Sequence, residues 1–523
     1  MKIQRTQNTI KNIRAGLILR AYQLLIPFVI RTIMIYVMGP QYLGLSSLFT
    51  SILQVLNLAE LGVGNAMVFA MYEPIAHDDQ KKICALMRQY RTYYRIIGLA
   101  IGVMGLVLTP AIPHLISGDV PADINVYILY LLKLGATVLS YWLFAYKNCL
   151  LVAHQRTDVS SFITIITYTP QCLLQILALV LFKNYYLYMI IALLAQVLNN
   201  IITAVVVAKK YPQYQPTGVM DKEQLRDINQ RIRDIFTAKV GGVVLKSSDS
   251  IVISAFLGLS VLAVYNNYFF VVSSITGIVE IILSSMMAGL GNSYVVETKE
   301  KNYKDLEKFT FMFLWVIGVC TCCFLGMYQP FMEAWIGPDL MLSFGAVICF
   351  AAYFFVYTLN RLLSVYKDAA GLWHQDRFCP LVTAIVNILL NLWWINDWGI
   401  YGVLLSTVVS MVLVGIPWVM YNLFCFFFDL SMMRQYVSHL LRHVLLTVLA
   451  GALVCSLCIW LPLSPWPKLV ISALVSVVVP NVLFFVCLRK EPAFAQSVHF
   501  LDGITHHKLA LPQRLLGTTK EKV

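Results

Sequence analysis

Fourteen apolar stretches, each long enough to cross a bilayer, bound what this chain can become. Windows of about 19 residues place them near 15–37, 42–71, 96–113, 125–153, 159–182, 185–208, 235–257, 260–291, 308–329, 340–366, 378–396, 398–428, 440–461 and 467–488. Roughly 20 apolar residues of helix span the hydrocarbon core, so these stretches predict an all-α integral membrane protein. Segment 235–257 carries three charges, and only an Asn-Asp-Trp hinge divides 378–396 from 398–428, so 12–14 transmembrane helices are expected. Composition closes the other classes. Hydrophobic residues make up 59% of the 523 and charged residues only 12%, which excludes a disordered chain, a secreted disulfide scaffold and a string of soluble domains.

Charge sets the expected orientation. The chain carries a formal net charge of +13, which in a soluble protein would point to nucleic acid; here its location matters more, and no nucleic-acid partner is expected. With the N-terminus inside, 28 of the 39 Lys and Arg fall in the inner segments, whereas the outer loops hold only Lys183 and Lys468. The positive-inside rule then makes both termini cytoplasmic. The basic N-terminus lacks a small-residue cleavage site and its apolar run contains Arg20 and Arg31, so it reads as retained. All twelve Cys lie in spans or on the inner side, leaving no pair for an extracellular disulfide. Cys320, Cys322 and Cys323 crowd one span without His or carboxylate beside them, and read as packing residues rather than a metal site.

An internal repeat organises the helices. Residues 146–155 (YKNCLLVAHQ) align on 366–375 (YKDAAGLWHQ) without gaps, pairing Tyr146 with Tyr366, Lys147 with Lys367, Asn148 with Asp368, His154 with His374 and Gln155 with Gln375. Glu60 falls on Glu280 at the same offset, and a shift one residue shorter sets Gly39, Leu43 and Gly44 on Gly258, Leu262 and Ala263, and Arg20 on Lys239. Three separated matches at spacings of 219 or 220 residues indicate duplication of a six-helix unit. Six is even, so the copies enter from the same side and form two bundles related by a parallel repeat, expected to face a central cleft. The expected domains are a cytoplasmic N-terminus (1–14), an N-lobe (15–208), a cytoplasmic inter-lobe loop (209–234), a C-lobe (235–428), two additional helices (429–488) and a cytoplasmic tail (489–523).

Ionisable groups at bilayer depth mark sites, because each costs a few kcal/mol unless it meets protein, water or substrate. Arg20 and Arg31 are eleven residues apart on the first helix, within about 20° of one face, with Pro27 between them to permit a kink. Lys239 and Lys246 share a face of the seventh span, and Asp249 lies one turn beyond Lys246. Lys133 and Lys147 sit near opposite ends of the fourth, where lining a cavity and snorkelling are both open. Glu60 and Glu280 could gate the cleft, couple an ion, or serve as counter-ions, whereas Arg361 is expected to snorkel. Six bases against three acids favour an anionic cargo, a pyrophosphate above all. Gln171/Gln175 and Asn387/Asn391 are spaced to join helices or to meet sugars, and tyrosines such as Tyr141, Tyr146, Tyr265 and Tyr268 could stack on sugar rings or lie in interface belts.

Residues 59–76 (AELGVGNAMVFAMYEPIA), 246–254 (KSSDSIVIS), 262–269 (LAVYNNYF), 289–295 (GLGNSYV) and 366–377 (YKDAAGLWHQDR) together resemble the polysaccharide (O-antigen or teichoic-type) flippases of the multidrug/oligosaccharidyl-lipid/polysaccharide (MOP) exporter superfamily. The resemblance covers residues 1 to about 430. It implies a non-enzymatic flippase that moves undecaprenyl-pyrophosphate-linked oligosaccharide across the bacterial plasma membrane by alternating access, with Arg20 and Arg31 at the pyrophosphate. Partners would be the lipid-linked oligosaccharide, membrane lipids and a glycan polymerase or other polysaccharide-assembly proteins. The chain has no nucleotide-binding loop, so no cofactor is expected, and drive would come from a proton or sodium gradient or the membrane potential. A multidrug or cation antiporter of the same superfamily is the alternative, although its cargo would favour an acidic cavity. A glycan polymerase or ligase would need a large outer loop, and the longest expected here is about a dozen residues near 114–124.

Overall fold

The computed structural model describes residues 5–118, 120–459 and 462–504, and among these every regular element is helical. The helices are α1 (Arg5–Val37), α2 (Pro40–Leu56), α3 (Val63–Ala76), α4 (Gln80–Leu108), α5 (Val126–Trp142), α6 (Asn148–Ala153), α7 (Thr157–Val180), α8 (Tyr185–Lys210), α9 (Lys222–Leu257) and α10 (Leu259–Val296). There follow α11 (Lys299–Ile336), α12 (Phe344–Ala369), α13 (Trp373–Asp376), α14 (Cys379–Trp398), α15 (Ile400–Ser410), α16 (Ile416–Phe426), α17 (Leu430–Ile459), α18 (Pro465–Leu488) and α19 (Pro492–Ile504). Thirteen spans are long and apolar enough to cross a membrane, and α5 with α6, bent by 47°, makes a fourteenth.

Local chemistry explains where the helices start and break. Asp79, Asn125, Asn184 and Thr298 each accept from backbone N–H groups of the first turn of α4, α5, α8 and α11, satisfying donors that a helix leaves orphaned. Gly39 (φ 105°) turns the chain ahead of Pro40, whose missing N–H is harmless at a helix start. The bend between α5 and α6 passes through Phe144 in the left-handed region (φ 62°), and the Asn200 amide donates to the Ser140 carbonyl beside it at 3.0 Å. That bond answers a carbonyl which a break at bilayer depth would otherwise leave exposed. Between α15 and α16 a single π turn, Met411–Gly415, absorbs the ladder bond that Pro417 cannot donate.

Three sequence expectations change. The hinge expected at Asn396-Asp397-Trp398 is helical, and the chain turns instead at Gly399 (φ 53°). Residues 222–234, expected in the inter-lobe loop, are the first turns of α9. Part of the expected tail is α19, which sets Phe494 and Val498 against Phe311, Val454 and Phe484; the remainder of the tail lies outside the described residues.

The chain divides into two compact units, Met1–Asn266 and Asn267–Val523. In the first, α1 packs on α7, α7 on α8, α4 on α5, and α9 on α2 and α3. The seventh span therefore belongs with the first six, although the repeat makes it the opening helix of the second copy. In the second unit α11 is central: α12, α17, α18 and α19 all pack on it. Cys322 and Cys458 lie in that core, and all twelve cysteines are free thiols.

The repeated motif YKNCLLVAHQ ends on a buried imidazole. His154 Nδ1 meets the Leu150 carbonyl at 2.8 Å, and its ring packs on Tyr211 at 4.4 Å and Tyr214 at 5.8 Å. Burial, acting first, pushes its pKa below the usual 6.5, partly offset by the Leu150 carbonyl. A depressed histidine pKa contributes stability that is complete above about pH 6.5 and is lost as pH falls toward the folded-state value. The melting temperature should therefore drop on acidification from pH 7.5 to 5.5, and His154→Phe should flatten that drop; equal slopes for both proteins would contradict the assignment.

Candidate functional site

All six basic candidates, Arg20, Arg31, Lys133, Lys147, Lys239 and Lys246, fall in the first unit, together with Glu60 and Asp249. Only Glu280 lies in the second. The two stripes expected from separate bundles thus stand on α1 and α9 of one body, because α9 packs on α2 and α3.

Arg31 is half-buried on α1, which runs as one helix through Pro27, and its Nη1 donates to the Asn266 carbonyl at 3.5 Å. Arg20 is also half-buried, and its Nε makes no hydrogen bond among the described residues. On α9, Lys239 and Lys246 are exposed at the surface of the unit while Asp249 is buried; neither Lys246 nor Asp249 is without a partner. These side chains keep long cationic ends on one unit at span depth, suited to a multiply charged oxyanion.

Lys133 does something else. Its ammonium donates to the Ser46 carbonyl (2.9 Å) and to Thr50 Oγ1 (2.7 Å), tying α5 to α2 instead of snorkelling. Lys147 lies over the Phe144 ring at 5.5 Å, at the bend between α5 and α6.

The carboxylates are held by Tyr94 and Tyr357, which sequence reasoning missed, and by Tyr141 and Arg361, which it assigns other roles. Glu60 ends a 3₁₀ turn (Asn57–Glu60) that interrupts the second span, and Gly62 (φ 92°) lets the chain re-enter as α3. Tyr94 donates to Glu60 Oε1 at 2.7 Å, Tyr141 to Oε2 at 2.6 Å, and Tyr90 to Tyr94 Oη at 2.7 Å. Glu60 is thus bound by phenols, and among the described residues it has no cationic partner. Glu280 accepts from Tyr357 at 2.8 Å and pairs with Arg361 Nε at 3.4 Å. The expectation that Arg361 merely snorkels is corrected by that pair, since the guanidinium meets a carboxylate within its own unit. A signal was available: the offset of 220 that joins Glu60 to Glu280 also joins Tyr141 to Arg361.

The polar pairs join helices. Gln171 donates to Gln175 at 3.3 Å, and Gln175 to the Tyr188 carbonyl at 3.1 Å. Asn387, Asn391, Ser406 and Thr407 form one buried cluster between α14 and α15, with Asn387 donating to Thr407 at 2.9 Å. Tyr146, Tyr265 and Tyr268 are buried too, so their rings serve packing and not an open sugar platform. No group of three metal-ligating side chains stands together among the described residues.

Comparison with known proteins adds the fold's kin. No curated protein sequence matches. Among solved structures, the lipid II flippase MurJ in an inward closed conformation superposes with a TM-score of 0.67 at 14% identity, covering 92% of this chain and 99% of that one. An inward-facing multidrug resistance MATE family transporter of the MOP superfamily gives 0.59 at 14% identity, covering 80% and 99%. A MOP superfamily transporter from Pyrococcus furiosus, described as having a binding pocket of reversed polarity, gives 0.50 at 13% identity over 79% and 94%. These likenesses establish the fold. The family model described as polysaccharide biosynthesis protein matches residues 9–287, more than half of the chain, and with the MOP transporter fold around it the protein belongs to that family.

Proposed function

We propose that this protein is a flippase that carries a lipid-linked oligosaccharide, with undecaprenyl pyrophosphate as the anchor, across the bacterial plasma membrane for surface polysaccharide assembly. The observation that carries the reading is the set of span-depth cations on α1 and α9, Arg20, Arg31, Lys239 and Lys246, gathered on one unit of a polysaccharide-family chain. A pyrophosphate is the cargo group such cations fit, and a cationic drug would be repelled by them. In this reading Arg31 and Arg20 grip the pyrophosphate, Lys239 and Lys246 receive it from α9, and Asp249, Glu60 and Glu280 gate the movement or couple it to an ion gradient. Both termini lie in the cytoplasm, and a glycan polymerase would consume the product on the far side.

In cells lacking the protein, a completed repeat unit on undecaprenyl pyrophosphate should accumulate, as read by mass spectrometry of extracted polyprenyl glycans. Arg31→Ala, expressed at the native level and normally inserted, should reproduce that accumulation, with surface polymer falling at least about ten-fold, the loss expected for one charge-assisted contact. Unchanged lipid-linked glycans in the deletion would sink the reading and favour the multidrug or cation antiporter.

A further inference from the structure

Away from these residues, the second unit holds a partly open pocket of about 90 Å³ between α11, α17 and the turn from α18 into α19, lined by Glu307, Thr310, Tyr436, His439, His443 and Glu491. Its hydrogen bonding is one-sided. His443 Nδ1 lies 2.9 Å from the His439 carbonyl, which can only accept, so Nδ1 carries the hydrogen and the neutral ring presents a lone pair at Nε2. That Nε2 is buried without a hydrogen bond, in a residue only 5% exposed. Glu491, 9% exposed, accepts at Oε1 from the Arg442 guanidinium, whereas its Oε2 is buried without a hydrogen bond, with His439 Nδ1 at 3.9 Å. Glu307 Oε1 accepts from Gln435 at 3.3 Å and faces His439 Nε2 at 4.0 Å. The Thr310 and Tyr436 hydroxyls satisfy each other at 2.9 Å.

Two buried acceptors, Glu491 Oε2 and His443 Nε2, are therefore left without a hydrogen bond, and the nearest imidazole, His439, stands beyond hydrogen-bond distance of both carboxylates, at 3.9 and 4.0 Å. Buried acceptors without partners cost about 1–3 kcal/mol each, so a ligand that donates to them is favoured. No three side chains here stand in a geometry that could hold a metal ion. We propose that this cavity binds a primary ammonium group. Its N–H donors answer Glu491 Oε2 and His443 Nε2, the two buried acceptors left without a hydrogen bond, and the Glu307 carboxylate lines the same pocket. The cavity sits where α18 ends at Leu488 and turns into α19, so the ammonium can belong to an aminophospholipid head group or to a soluble amine.

The test uses the full chain purified from membranes and exchanged into detergent with equal phosphatidylethanolamine and phosphatidylcholine. Mass spectrometry of co-purifying lipid should show phosphatidylethanolamine enriched roughly ten-fold, and Glu491→Gln and Glu307→Gln should each bring the ratio toward one. Glu307 does not touch Arg442, so the second variant answers for any misfolding of the first. In lipid-free detergent, stabilisation by ethanolamine but not by tetramethylammonium identifies a soluble amine; lipid enrichment without that stabilisation identifies the head group. Absence of both effects in the wild type, or their survival in both variants, overturns the proposal.

Discussion

Gly44→Val is expected to leave almost no folded protein. A Cβ at position 44 would stand 2.1 Å from the Leu259 carbonyl oxygen, with the Leu259 carbonyl carbon at 2.8 Å and Cα at 3.1 Å. All three are backbone atoms, so no side chain can swing aside. Even alanine must push α2 away from the start of α10, at the upper end of overpacking penalties, about 3 kcal/mol, and valine adds two methyl groups to the same gap. Gly135 on α5 is the control, since a Cβ there meets nothing within 4 Å, and Gly135→Ala should keep or slightly raise the melting temperature. Recovery of monodisperse protein after size-exclusion in detergent reads both outcomes. Normal recovery of Gly44→Val would mean that α2 and α10 do not approach this closely. The repeat sharpens the point: Gly44 aligns with Ala263, which is buried yet has room for its methyl group, so the glycine answers a contact that only the first copy makes.

The second large effect separates two lysines that the repeat makes equivalent. Lys367 is buried and its ammonium sits between Asp376 (2.6 Å) and Asp368 (2.7 Å), with Asn422 reaching the other Asp376 oxygen at 3.4 Å. At the same offset, Lys147 has Asn148 in place of Asp368 and Arg156 in place of Asp376. Both acids are missing from the first copy, and Arg156 is occupied with Asp158 at 2.8 Å. Lys367→Met leaves Asp376 buried without its cation, which should destabilise the second unit by about 3–5 kcal/mol, whereas Lys147→Met should lose about 1 kcal/mol or less. Adding Asp376→Asn to Lys367→Met should restore part of the loss, because it removes the stranded charge. Thermal unfolding of the four proteins in one detergent tests the order, and similar melting temperatures for the two single variants would refute it.

The spans were legible because twenty apolar residues leave a bilayer-crossing helix little alternative, and all fourteen stretches have a helical counterpart. Asn387 and Asn391, four apart on one face, were readable as glue for the same reason of period. What stayed hidden depends on contacts far along the chain. Tyr94 and Tyr141 are 34 and 81 residues from Glu60, and no periodicity connects them. The packing of α9 with the first six spans rests on contacts such as the Ser247–Gln54 hydrogen bond at 3.3 Å, which sequence symmetry cannot express. Symmetry predicted the ancestry of α9 and said nothing about its neighbours. The bend at Phe144 was illegible for a local reason, since a non-glycine residue in the left-handed region carries no compositional flag.

Tyr141 and Arg361 stand at matched positions, so the duplicated halves share a scaffold yet differ by one unit of charge around their carboxylates. Glu60 is held by two phenols, whereas Glu280 has the Arg361 guanidinium beside it. A membrane potential exerts about 2.3 kcal/mol per elementary charge per 100 mV on whatever crosses it. A rearrangement that carries Glu60 through the field as its carboxylate moves charge, whereas Glu280 moving as an ion pair with Arg361 moves none.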